Sequence, residues 1–169
     1  MATLEERVQA LEDEKEIRRT LLQYSHAIDQ RETQEPAMLS DCFTEDAVWW
    51  ASIDGPWAGA GGAKHTGRQE IEEWFIGMRS FGSDKPGPHG KGKHYLVSPD
   101  IRVAGDRATV ESYHLGVGAS PNGPQINSMG RYLDVMVRCP DGRWRIKERH
   151  LAKEGSSVEG QAHVVGAKH

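Results

Sequence analysis

The chain has 169 residues, 21 basic and 25 acidic side chains for a formal net charge of −4, and two cysteines. That length is one domain able to bury about 70% of its unfolded surface, and the near-balanced charge removes the electrostatic case for nucleic acid or an anionic membrane as partner. Cys42 and Cys139 form no CxxC pattern, and no run approaches the roughly 18 apolar residues of a spanning helix, so the reading is a reduced, cytoplasmic protein without signal peptide.

Residues 3–31 contain neither Pro nor Gly and predict a helix. Its apolar positions form two stripes: Leu4, Val8 and Leu11, then Ile17, Leu21, Tyr24 and Ile28. At 3.6 residues per turn the stripes are offset by roughly 130°, which predicts a break near Asp13–Lys15. The first stripe is then either a contact with a neighbouring subunit or a solvated extension. A short helix from Pro36 to Cys42 follows, with Pro in its first turn, and Phe43-Thr44-Glu45-Asp46 turns into a strand over Ala47–Ala51. Gly55–Gly62 reads as a loop, Thr66 to Phe81 as a helix with Ile71, Trp74, Phe75 and Met78 on its apolar face, and Gly82–Gly92 as a mobile loop.

The remainder is strand-like. His94–Val103 and Arg107–Gly118 flank the turn Ala104-Gly105-Asp106, and Ser128–Arg138 and Arg143–Leu151 flank Cys139-Pro140-Asp141-Gly142. Alternation in the last strand puts Arg143, Arg145, Lys147 and Arg149 on one face and Trp144, Ile146, Glu148 and His150 on the other. Helices first and a meandering antiparallel sheet after them define an α+β fold, with helices covering one face of a curved sheet. The domain spans 1–153, and 154–169 is a tail or a subunit-crossing arm.

Four segments in this order carry a resemblance. Leu4-Glu5-Glu6-Arg7 through Tyr24-Ser25-His26-Ala27-Ile28-Asp29 resembles the first helix of the SnoaL-like branch of the nuclear-transport-factor-2-like superfamily. Phe43-Thr44-Glu45-Asp46-Ala47-Val48-Trp49 resembles its passage into the first strand. Gly130-Arg131-Tyr132 and Asp141-Gly142-Arg143-Trp144-Arg145-Ile146 resemble its closing hairpin. The resemblance implies a conical α+β barrel with a deep pocket, and relatives that are trimers or dimers, hence a homo-oligomer.

Within the superfamily, a helix-end aspartate and a strand-start histidine resemble the catalytic pair of the hexachlorocyclohexane dehydrochlorinase, scytalone dehydratase and bile-acid dehydratase group; Asp29 and His94 stand at the matching places. Tyr24 matches a functional tyrosine of the bile-acid enzyme, and His114 resembles the second pocket histidine of scytalone dehydratase. An imidazole oriented by a carboxylate is a general base that needs no cofactor. His94 would take a C–H proton, Asp29 would fix its tautomer, and Tyr24 would serve as acid or bind a substrate oxygen, unless it is a core-edge tyrosine. Trp49 is a candidate pocket wall, His114 a candidate pocket residue, and Arg131 either binds a carboxylate or phenolate or forms a structural ion pair. His150, beside Glu148, is a further titratable candidate, and His65 and His89 read as solvated loop residues.

No HExxH spacing, phosphate loop or dinucleotide fingerprint is present, so neither metal nor cofactor is expected. The expected function is a cofactor-independent lyase, a dehydratase or related β-elimination enzyme, acting on a hydrophobic, cyclic or aromatic small molecule. A proton-shuttling isomerase, a polyketide-cyclase-like enzyme and a non-catalytic small-molecule binding module are the alternatives.

Overall fold

The computed structural model describes residues 2–29, 37–52, 64–80, 92–120, 122–158 and 161–164. The element order is α1 (Leu4–Asp29), α2 (Ala37–Ser40), β1 (Phe43–Ser52), β2 (Lys64–Thr66), α3 (Arg68–Ser80), β3 (Lys93–Ala104), β4 (Arg107–Ser120), β5 (Gly123–Arg138), β6 (Trp144–Val158) and β7 (Gln161–Val164). The loop expected at Gly55–Gly62, His89, and all of the Gly82–Gly92 segment but its last residue lie outside the described residues, as does the side chain of Met78.

Helix α1 begins in a reciprocal cap. The Glu6 N–H donates to Thr3 Oγ1 at 3.2 Å and the Thr3 N–H to Glu6 Oε2 at 2.7 Å, which serves two otherwise orphaned donors. The helix then runs unbroken to Asp29, against the expected break near Asp13–Lys15. The physical reason is that the two stripes never share a face. Leu4, Val8 and Leu11 stay exposed, whereas Ile17, Leu21, Tyr24 and Ile28 enter the core. Asp13 is a buried anchor: it accepts from Gln9 at 3.0 Å, from the Trp144 indole at 3.1 Å and from Arg138 at 2.6 Å. Burying Ile17, Leu21 and Ile28 contributes about 1.5–3 kcal/mol each.

The sheet has the order β2-β1-β6-β5-β4-β3, with β7 pairing on β6. β3 to β6 form an antiparallel meander, and β1 lies parallel to β6. The sheet is curved and unclosed, and β3 ends it beside α1. Phe43 to Asp46, expected as a turn, belong to β1. Strand β6 continues to Val158, past the boundary expected at 153.

The alternation predicted for the last strand fails at one residue. Ile146 pairs with Met136 and Glu148 with Val135, so Lys147 is an extra residue on β6. This bulge inverts the parity of the residues after it as far as Lys153, beyond which the register shifts again. Trp144 and Ile146 face inward before it; Arg149 and Leu151 face inward after it. Lys147 itself is paired with Asp46 of β1. Among the described residues no helix is long and apolar enough to cross a membrane.

Candidate functional site

Asp29 is the last residue of α1 and His94 the second of β3, and packing of the helix on the edge strand brings them together. His94 Nδ1 lies 2.6 Å from Asp29 Oδ1, and the His94 main-chain N–H reaches both carboxylate oxygens at 3.1 and 3.0 Å. The carboxylate side chain is 9% exposed and the imidazole 36%. With the proton on Nδ1 shared with Asp29, Nε2 carries a free lone pair. A groove of about 520 Å³ runs along the α1–β3 seam, bordered by Leu21, Leu22, Ser25, Asp29, His94 and Leu96.

On its other side the His94 ring stacks on His114, with centroids 5.7 Å apart and planes at 24°. His114 is 2% exposed, and its Nε2 lies 3.1 Å from Ser128 Oγ. Burial, aided by the positive charge of neighbouring His94, Lys153 and Arg149, pushes its pKa down to about 3, so it is neutral near pH 7. Gly116, the cross-strand partner of both His94 and Ser128, leaves the space for that serine: a Cβ there would sit 2.4 Å from Ser128 Oγ.

Deeper in, Tyr132 meets His114 edge-on at 5.0 Å and Tyr24 at 6.0 Å. Arg149, fully buried, lies 4.0 Å from the Tyr24 ring centroid and 4.5 Å from that of Tyr132. Its guanidinium forks onto Asp134 with two bonds of 2.7 Å, a pair with no exposed side-chain surface. Burial raises the Tyr24 pKa against the opposing charge of Arg149, so the phenol stays protonated. The Tyr24 hydroxyl, the Trp49 indole N–H and Arg149 Nη1 are buried and make no well-aligned hydrogen bond among the described residues, although Tyr132, Trp49 and Arg149 all stand close enough to the Tyr24 oxygen to act on it. Trp49 closes this end, packed against Trp74 at 4.5 Å and Phe75 at 5.6 Å.

Of the residues singled out in the sequence, the fold thus brings Asp29, His94 and His114 into one cluster and places Tyr24 and Trp49 at its inner end. Arg131 is not brought to it. It lies on the outer face, where it pairs with Glu111 at 2.9 Å and Glu154 at 2.7 Å, so the ion-pair alternative describes its position. His150 also faces outward, stacked on Trp50 and bonded to Ser52. His65, expected to be solvated, sits in β2 on the Trp74 ring and bonds Glu70 at 3.1 Å. Asp134, Tyr132 and Ser128 were not recognised as members of the cluster, and Arg149, open to the same alternatives as Arg131, was ranked below it because it alternates with exposed basic residues. The glycines at 116 and 130, on adjacent paired strands, are the sequence signal that could have drawn attention to this face.

A helix-covered curved sheet with aromatic and titratable side chains clustered beneath the helix defines an α+β domain. The SnoaL-like domain model matches residues 9–150, and the chain belongs to that family. Solved structures agree on the fold. A protein of the nuclear-transport-factor-2-like, cystatin-like fold from Novosphingobium aromaticivorans is 22% identical with a TM-score of 0.72, covering 95% of this chain and 94% of that one. Another from the same organism, provisionally named a scytalone dehydratase, is 22% identical with a TM-score of 0.65 over 95% and 97% of the two chains. A protein from Catenulispora acidiphila, solved in complex with S-DNPA, is 20% identical with a TM-score of 0.62 over 82% and 91%. No curated protein matches the chain.

Proposed function

We propose that this protein is a cofactor-independent lyase, a dehydratase or related β-elimination enzyme acting on a hydrophobic, cyclic or aromatic small molecule. The observation that carries the reading is the double engagement of His94 by Asp29, through main chain and ring at once. A base held at both points keeps one tautomer and one ring orientation. Nε2 of His94 removes a C–H proton made acidic by a neighbouring carbonyl, and Asp29 stabilises the imidazolium that results. Such a group contributes about 10²–10⁴-fold to rate. Neutral His114 holds the flat face of the imidazole.

The donors at the inner end complete the chemistry. The Tyr24 hydroxyl, the Trp49 N–H and Arg149 Nη1 converge there. A substrate oxygen there, the carbonyl that acidifies the C–H or the hydroxyl that leaves, satisfies them. Tyr24, kept protonated, is the acid or hydrogen-bond donor to that oxygen. Small-molecule binding by the relative solved with S-DNPA and the provisional name of another support a substrate of this size. The exposed stripe of Leu4, Val8 and Leu11 supports a homo-oligomer, dimer or trimer.

The test is a panel of cyclic β-hydroxy ketones incubated in deuterated water with wild type and His94→Gln. Elimination appears as loss of the mass of one water in the wild type alone. Conversion to a rearranged product with no loss of water identifies the isomerase instead. Binding without either change, equal in both proteins, identifies a binding module and ends the lyase reading.

A further inference from the structure

One charged group on the inner face is left over by the proposed chemistry. In the cross-strand row Leu96–His114–Gly130–Lys153, four strands present paired residues side by side. Paired residues of an antiparallel ladder share a face, and His114 fixes that face as the inner one, since it is buried under His94. Lys153 therefore projects from β6 on the same side, its parity set by the bulge at Lys147. Between the two lies Gly130, where a Cβ would come within 2.1 Å of the Ala152 carbonyl oxygen and 2.9 Å of Lys153 Cα. Only a residue without a side chain fits there, so no side chain stands between His114 and Lys153 in this row.

Lys153 is half-buried, and burial lowers its pKa. Among the described residues it forms no ion pair. Glu154, its neighbour in sequence, is committed to Arg131 on the other face, and Asp134 is taken by Arg149. Asp29 is bound to His94. Among the described residues, the inner-face carboxylates Asp29 and Asp134 thus have their own partners, and Lys153 is left without one. A desolvated ammonium without a counter-charge is unfavourable unless a ligand supplies it.

We propose that Lys153 anchors a carboxylate carried by the substrate, which lies over Gly130 with the reacting carbon toward His94. This rests on the reading of the inner face as a substrate site and narrows it to carboxylate-bearing aromatic or alicyclic molecules. Lys153 is a specificity-determining residue in this scheme and touches no reacting atom.

The experiment compares binding of 2-naphthoate and 2-naphthamide, equal in shape and different in charge, by quenching of tryptophan fluorescence. Wild type is expected to favour the carboxylate at least tenfold. Lys153→Met, which keeps length and apolar stem, is expected to bind both alike, and Lys153→Arg to retain most of the preference. Thermal unfolding of each variant establishes that it is folded. Equal affinities in wild type, a preference that survives Lys153→Met, or no binding of 2-naphthoate overturns the proposal. The same preference persisting in His94→Gln while turnover is absent separates the anchor from the base, so either can fail alone.

Discussion

Asp29 and His94, 65 positions apart in the chain, are joined by three contacts of 3.1 Å or less, two of them to the histidine main chain. The carboxylate therefore does two jobs: it fixes the imidazole and it ties the end of α1 to the edge strand. Asp29→Asn removes the charge and leaves the shape. The expected outcome is a loss of turnover on the order of 10²–10⁴-fold with a stability cost of about 1–3 kcal/mol. Initial rates on an elimination substrate and urea unfolding measure the two separately. Full turnover in a folded variant would remove the carboxylate from the chemistry.

The Arg149–Asp134 pair is buried on every side, so its two halves cannot be removed independently. Asp134→Asn leaves a guanidinium without its counter-charge and is expected to destabilise by about 3–5 kcal/mol. The double variant Arg149→Met, Asp134→Leu removes both charges and is expected to recover most of that loss. Chemical denaturation of the single and double variants tests this; strict additivity would mean the pair is not coupled.

His114 makes stability depend on pH in a definite direction. Its pKa is about 3 in the folded protein, against the ordinary imidazole value of 6.5. The unfolded chain therefore binds a proton that the folded chain refuses as the pH falls below that ordinary value. Stability is unaffected by this group at higher pH and falls through the interval down to about 3, with a limiting slope of ~1.4 kcal/mol per pH unit. His114→Gln keeps a polar side chain that does not titrate, and is expected to flatten the profile. Unfolding midpoints from pH 7 to 4 decide it, and parallel profiles for the two proteins would refute the assignment.

Asp13 ties α1 to the far end of the sheet through Arg138 and Trp144. Burial alone would raise its pKa, and the bonds from Arg138, Trp144 and Gln9 overcome that and hold it lowered. Asp13→Ala orphans a buried indole N–H and frees Arg138, at an expected cost of about 2–4 kcal/mol. Amide exchange in the exposed turns from Leu4 to Glu12 is expected to quicken in the variant, because those turns are docked through this residue. Unchanged exchange would locate their stability within the helix itself.

What could be read in advance depended on the kind of constraint. The fold and the Asp29–His94 pairing were accessible because they sit at element ends, where helix and strand boundaries and a family resemblance agree. Tyr24 and His114 followed from the family resemblance, with the apolar stripe of the helix also placing Tyr24, and Trp49 followed from its place in a strand. Arg149 did not, because alternation assigns faces only up to the next bulge, and nothing in Glu148-Arg149-His150 announces that Lys147 is an extra residue. Asp13 was misread as a break because an offset between two apolar stripes looks the same whether the helix bends or one stripe stays in solvent. Arg131 was ambiguous for want of its neighbours: the paired Glu111 and Glu154 are 20 and 23 positions away. Lys153 fell on a boundary that was placed where the strand in fact continues.

The extra residue at Lys147 has a genetic corollary. A strand has a reading frame of two, and an insertion or deletion of one residue shifts it just as a single base shifts a codon. Removing Lys147 would turn Arg149, Leu151 and Lys153 toward solvent together and bring Glu148, His150 and Ala152 inward, with no substitution at any of them. Upstream of that point Trp144 and Ile146 would keep their places. Length changes in the first half of β6 are thus expected to be far less tolerated than point changes on its outer face, and two-residue changes better tolerated than one.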